Sequence, residues 1–159
     1  MKGFLLPRKL GDEIAEKIRA VAPIHADYLL ANLQGALPAL SLVNQVALNT
    51  AFANDQAPDL SFAQQILGMG NEDDVLLVIS TSGNSANVIY ALELAKVKGM
   101  KTIALTGNSG GKIVNRKLAD INICVPYGET YRIQELHLPV YHMLCIAAEN
   151  EFFNEKEME

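Results

Sequence analysis

The run Ser80-Thr81-Ser82-Gly83-Asn84-Ser85 puts four hydroxyls, one carboxamide and one glycine into six consecutive residues. Short alcohols donate hydrogen bonds without bulk, and a glycine lets backbone come close to a ligand. Before the run stands Val75-Leu76-Leu77-Val78-Ile79, an apolar stretch of strand length. After it, Val88, Leu92 and Ala95 recur at helical spacing, with Asn87, Tyr90, Glu93 and Lys96 off that stripe and Gly99 as a natural stop. The run therefore opens a helix as the chain leaves a strand. A helix N-terminus carries unpaired amides and the positive end of the macrodipole, which together suit a phosphate. Ser80, Thr81, Ser82, Asn84 and Ser85 thus form a candidate phosphate cradle that needs no Lys or Arg. The plainer reading is an ordinary strand-to-helix turn with Asn84 or Ser85 as N-cap.

A second group lies near the C-terminus, where Gln134, Glu135, His137 and His142 sit on a long helical pattern. At 100° per residue, Gln134, Glu135 and His142 share a sector of about 100°. An imidazole, a carboxylate and an amide thus share one candidate pocket face, with His142 as a candidate proton carrier near neutral pH. The alternative is a polar helix face with partly buried imidazoles. His25 and His137 read as structural or exposed.

Other chemistries are excluded by spacing. A phosphate-binding loop of the G-x-x-x-x-G-K-[S/T] type ending at Gly111-Lys112 would need glycine at position 106, which is Thr106, and Ser or Thr at 113, which is Ile113. No G-x-G-x-x-G fingerprint occurs. Gly107-Asn108-Ser109-Gly110-Gly111 therefore reads as a structural turn near the site. No Cys/His spacing matches a structural zinc site. Thirteen Lys+Arg against eighteen Asp+Glu leave a formal charge of −5, unsuited to nucleic acid or an anionic membrane. Cys124 and Cys145 stand apart in apolar segments and read as small buried thiols in a reducing compartment. Phe4-Leu5-Leu6 is too short for a secretory signal, and no stretch is long enough for a bilayer span, so a cytoplasmic protein is expected.

The elements that must position these residues follow from patterning. With 159 residues, half of them hydrophobic and 19% charged, one domain with its own core is expected. Val75–Ile79, Thr102–Leu105 and Ile121–Val125 read as strands, the first buried on both faces. Helical patterns cover Val88 to Lys98, Lys112 to Leu118 and Ile133 to Phe152. Pro139 predicts a kink in the last, or a helix start near Leu138. Earlier, Asp12 to Val21, His25 to Leu33, Asn44 to Ala53 and Ser61 to Leu67 look helical. Leu37 to Leu42 is a candidate strand limited to an edge by Pro38. Strands alternating with helices predict an α/β fold: three layers, α/β/α, around an open parallel sheet of about four to five strands, flavodoxin-like in type.

The core Ile79-Ser80-Thr81-Ser82-Gly83-Asn84-Ser85-Ala86-Asn87-Val88 closely resembles the sugar isomerase (SIS) domain. Thr106-Gly107, Gly110-Gly111-Lys112, Arg132-Ile133-Gln134-Glu135-Leu136-His137 and His142 narrow the resemblance to the phosphoheptose isomerase branch, the sedoheptulose 7-phosphate isomerases. It is strong from about Asp74 to Phe152. The resemblance implies a single SIS domain over residues 1–159, with phosphate on Ser80, Ser82 and Ser85, sugar contacts from Thr81 and Gln134, and proton transfer by His142. It implies aldose–ketose isomerisation in carbohydrate metabolism, no required cofactor, and a homotetramer with a small sugar phosphate as its ligand. Some members of the family bind zinc, which would place Gln134 and His142 among the metal ligands. The family's N-terminal helices, its first strand with a Gly-Asn-Gly-Gly-Ser loop, and the helix carrying its catalytic glutamate have no counterpart here. The expectation is an N-terminally truncated domain lacking those helices and that strand, with Glu135 as a substitute base. Other SIS relatives bind sugar phosphates without catalysis, as regulatory or interaction modules, which is the alternative reading.

Overall fold

The computed structural model of the chain describes residues 9–153. Phe4-Leu5-Leu6 lies outside them. The chain divides into two compact units, one spanning Leu40–Pro139, the other joining residues up to Ala39 with those from Val140 onward.

The second of these contains α1 (Asp12–Val21), α2 (Ala26–Asn32) and the later turns of α7 (Thr130–Phe153). α1 opens with Asp12 and Glu13 and carries Arg19 in its last turn, charges that complement the helix dipole. Gly35 is packed so closely by Phe153 that a Cβ there would stand 2.7 Å from the ring. The first two helices lie where expected. The candidate strand Leu37 to Leu42 does not form: backbone from 33 to 41 is irregular, and Leu42–Asn44 is a single 3-10 turn. Pro38 lacks the amide that a ladder would need, and among the described residues no strand pairs with this segment.

The unit Leu40–Pro139 holds the sheet. Its order is α3 (Val46–Asp55), a 3-10 turn at Pro58–Leu60, α4 (Ser61–Met69), β1 (Val75–Ser80), α5 (Ala86–Val97), β2 (Lys101–Thr106), α6 (Gly111–Asn115) and β3 (Ile121–Cys124), followed by the start of α7. All pairing is parallel, in the order β1-β2-β3, with Ser80 beside Thr106 and Thr106 beside Cys124. The sheet thus has three strands among the described residues, not four to five, because Leu37 to Leu42 adds none.

This order explains the layering. Both crossovers step the same way across the sheet, and parallel crossovers are right-handed, so α5 and α6 must fall on one face. Leu76, Val78 and Ala104 point to that face and pack with Val88, Leu92 and Ala95 of α5, Ile113 of α6, and Ile66 of α4. On the opposite face the cover is incomplete. Leu105 is fully buried beside the end of the sheet that α7 reaches, but Val75, Leu77 and Ile79 are 60%, 42% and 49% exposed. β1 is therefore buried on one face only, contrary to the expectation from its continuous apolar run. Helices lie on both sides of the sheet, as the three-layer expectation has it, but a run of that kind reports the absence of polar side chains, not how far the second helix layer extends over β1.

Two further expectations change. α7 runs unbroken from Thr130 through Pro139, which neither starts nor interrupts it. The proline removes one amide bond, a loss that the other turns of a 24-residue helix absorb. Neither cysteine is buried: Cys124 is exposed on edge strand β3, its Sγ 3.1 Å from the Thr106 hydroxyl, and Cys145 is half-buried.

Candidate functional site

The six-residue loop lies at the carboxyl end of β1, where open parallel α/β sheets bind ligands. Ser80 is buried and its Oγ meets Ser85 Oγ at 3.1 Å. Ser85 occupies the N-cap position of α5 with its hydroxyl turned to Ser80, so it makes no side-chain cap. The first-turn amides of Ala86 and Asn87 have no acceptor within the helix. Ser82 and Asn84 are exposed, and Thr81 is half-buried. The loop is tied internally by the Gly83 amide donating to the Ser80 carbonyl at 3.0 Å and the Asn84 amide to Ser82 Oγ at 3.2 Å.

The Gly107–Gly111 turn is the loop's support. Gly83 has φ +64°, and a Cβ there would stand 2.0 Å from the Gly110 carbonyl oxygen. A Cβ at Gly111 would stand 2.3 Å from the Ser82 oxygen. The Gly107 amide donates to the Thr81 carbonyl at 2.9 Å and the Ile113 amide to the Gly83 carbonyl at 3.1 Å. Asn84 uses both ends of its carboxamide here, donating to the Ser82 carbonyl and accepting from the Lys112 amide. Asn84 thus joins the two turns, a role that spacing alone did not suggest.

On α7, Ile133 and His137 are buried, whereas Gln134 and Glu135 are exposed. Glu135 stands about 160° around the helix from both buried residues. His137, read from the sequence as structural or exposed, is buried and hydrogen-bonded to the Thr106 carbonyl at 3.1 Å. Its signal was the i, i+4 spacing from Ile133. His142 belongs to the other compact unit, half-buried, with its ring 4.9 Å from that of Tyr141 in an edge-on arrangement.

Gln134 and His142 were the candidate metal ligands. Among the described residues, no group of three or more His, Cys, Asp and Glu is arranged to hold a metal ion. A zinc site takes at least three protein ligands, so these two donors do not by themselves fit one. The perturbed carboxylate of the sheet unit lies at the opposite end of the strands. Asp120 Oδ2 accepts from Thr102 Oγ1 and from the Thr102 amide, both at 2.8 Å. These bonds, aided by Lys96 and Lys101, hold its pKa below the ordinary 3.8. A cavity of about 380 Å³ between α4 and α5, lined by Leu60, Leu67, Tyr90 and Leu94 among others, contains no residue of the loop. Among the described residues, no helix is long and apolar enough to cross a membrane.

A parallel sheet with helices packed on it and a hydroxyl-rich turn leading from a strand's carboxyl end into a helix places the chain in the class of open α/β domains. The sequence pattern of the SIS domain matches residues 13–107, more than half of the chain, and the chain belongs to the SIS domain family. It is similar to phosphoheptose isomerases of Helicobacter pylori, at 47% identity over 116 residues, and of Thiobacillus denitrificans, at 48% over 115 residues. These matches cover 73% and 72% of this chain. The chain spans about three fifths of the length of these curated relatives, 59% and 58% respectively. Among solved structures, a phosphoheptose isomerase from Francisella tularensis matches with TM-score 0.67 and 40% identity, over 77% of this chain and 68% of that one. One from Neisseria gonorrhoeae matches with TM-score 0.68 and 37% identity, over 87% and 74%.

Proposed function

We propose that this chain is the phosphosugar-binding domain of a phosphoheptose-type aldose–ketose isomerase, acting on sedoheptulose 7-phosphate or a similar sugar phosphate. The observation that carries the reading is the Ser80–Ser85 loop, braced in a fixed conformation where β1 hands over to α5, in a chain 47% identical to a protein named for this activity. In this reading the phosphate sits against the Ala86 and Asn87 amides and the Ser82 and Ser85 hydroxyls. Ser80 orients Ser85, and Thr81 contacts the sugar. The helix end supplies roughly half a positive charge, which favours a dianion.

The reaction moves a hydrogen between neighbouring carbons and needs no external oxidant or reductant. A base removes the proton from the carbon beside the carbonyl, and that electron pair forms the enediolate double bond. An acid protonates the carbonyl oxygen; the double-bond pair then takes the proton back at the former carbonyl carbon, while the hydroxyl on the adjacent carbon returns its proton to the acid's conjugate base and becomes the new carbonyl. His142 is the proton-transfer residue of this reading, Glu135 its second acid–base group, and Gln134 a contact to sugar hydroxyls. The reading also takes the protein to work in cytoplasmic carbohydrate metabolism as a homotetramer. The uncovered apolar residues Val75, Leu77 and Ile79 support association.

The test is isomerase assay of the chain against a panel of aldose and ketose phosphates, paired with thermal shift. Turnover of a heptose phosphate supports the reading. Stabilisation without turnover replaces it with the non-catalytic binding module, and no shift with any phosphate removes both.

A further inference from the structure

His137 has no part in the reaction as outlined, yet it is 2% exposed and makes one directed bond. The partner is a carbonyl, which only accepts, so Nε2 carries the proton. The Thr106 carbonyl also accepts from the Val125 amide at 3.0 Å, and both of its lone pairs are then engaged. His137 Nδ1 is buried with no hydrogen-bond partner. A side chain that served only to fill space would be apolar, because an imidazole brings this unpaired acceptor into the interior.

What the bond touches gives its use. Thr106 leads into Gly107, whose amide donates to the Thr81 carbonyl of the hydroxyl-rich loop. Ile133, one turn before His137, packs on Gly107 so closely that a Cβ there would stand 2.4 Å from Ile133 Cδ1 and 2.7 Å from the Thr81 oxygen. The dipeptide Thr106-Gly107 is thus held by the loop on one side and by Ile133 and His137 on the other. Gln134 follows Ile133 directly. We infer that His137 is a positioning residue: its bond to the Thr106 carbonyl sets the first turns of α7, and with them Gln134, at a fixed place against the Ser80–Ser85 loop. The fold placement stands alone, and the catalytic consequence rests on the isomerase reading.

The two parts are tested separately on the full chain. In His137→Leu the bulk remains and the donor is lost. His137→Gln restores an N–H at similar reach. Hydrogen exchange should speed about tenfold at the amides from Ile133 to Leu136 in His137→Leu and return in His137→Gln. Exchange in β1 and at Gly83 and Asn84 should stay unchanged, because the loop keeps its glycine interlock. With a turned-over sugar phosphate, kcat should fall about 10- to 100-fold in His137→Leu at nearly constant KM, the scale of a small misplacement, and recover in His137→Gln. Unchanged exchange at the start of α7, or equal acceleration through the whole sheet, overturns the inference. So does a His137→Gln protein that exchanges no more slowly than His137→Leu. Should His137→Leu not fold, His137→Gln alone decides: wild-type exchange at Ile133 to Leu136 supports the inference, and acceleration confined there overturns it. Absence of turnover in the wild-type chain, with the exchange pattern as expected, counts against the isomerase reading and leaves the positioning role in place.

Discussion

Ser80 and Ser85 meet hydroxyl to hydroxyl at 3.1 Å, across the turn that carries the chain from β1 into α5. One is buried at the end of the strand and the other stands at the N-cap position of the helix, so the contact ties the helix N-terminus to the strand end. It also leaves the Ala86 and Asn87 amides uncapped by Ser85 and open to an external acceptor, while the Val88 amide donates to Asn87 Oδ1 at 2.9 Å.

The first prediction concerns this turn. Ser82 is exposed, and its hydroxyl accepts one internal bond, from the Asn84 amide. Ser82→Ala should weaken binding of inorganic phosphate or a sugar phosphate by about 1.5–3 kcal/mol, the range for a hydrogen bond to a charged group. The melting temperature without ligand should move little. Calorimetric titration checks this, and unchanged affinity would remove Ser82 from the cradle.

Gly83 is a backbone requirement. Its φ of +64° and the Gly110 carbonyl oxygen at 2.0 Å from a built Cβ leave no room for a side chain. Gly83→Ala should destabilise the fold by at least about 1–3 kcal/mol from the backbone conformation alone, with the collision adding to it. Chemical denaturation measures the loss. A variant as stable as the parent would show that the two turns do not interlock.

His142→Ala should lower kcat by about 10²–10⁴-fold if the imidazole transfers a proton, with affinity for inorganic phosphate unchanged. Steady-state kinetics and phosphate titration on the same preparation separate the two effects. Turnover within a few-fold of the parent would exclude the role.

Asp120 governs an acid-side stability term. Its pKa is lowered in the folded chain, first by the Thr102 hydroxyl and then by the Thr102 amide. A depressed carboxylate contributes fully above its unfolded value and loses that contribution as pH falls through the folded value. Stability should therefore drop as pH falls below about 4. Asp120→Asn should be less stable at neutral pH, with a flatter acid limb. Denaturation midpoints across pH 3–7 provide the comparison, and parallel curves for both proteins would refute the assignment.

Much of the sheet unit was legible because its signals are local. The strand, hydroxyl-rich turn and helix from Val75 to Val97 sit where apolar run, small polar residues and helical spacing put them. The features that were not legible depend on distant neighbours. Nothing within Val75-Leu76-Leu77-Val78-Ile79 distinguishes a strand covered on both faces from one covered on a single face. Pro38 weakened a strand near Leu40 but did not reveal that no partner strand stood ready for it. Glu135 and His142 share a helix sector on paper, yet the direction of that sector is set by Ile133 and His137, which press on the end of β2. The choice between structural and exposed for His137 stays open at the level of sequence because a histidine on a helix carries no local mark of the carbonyl thirty-one residues earlier in the chain to which it is bonded.

The meeting of Gly83 with Gly110 has a thermodynamic corollary. Main chain abuts main chain there, with no rotatable group in between to yield or reorganise. On the proposed reading, a dianion arriving at the turn would find its receptor already shaped, so little configurational entropy would be lost on capture. The same stiffness would deny the turn any capacity to swell or shrink around such a guest, so that in this reading it gauges charge and size and discrimination among sugars falls to groups elsewhere.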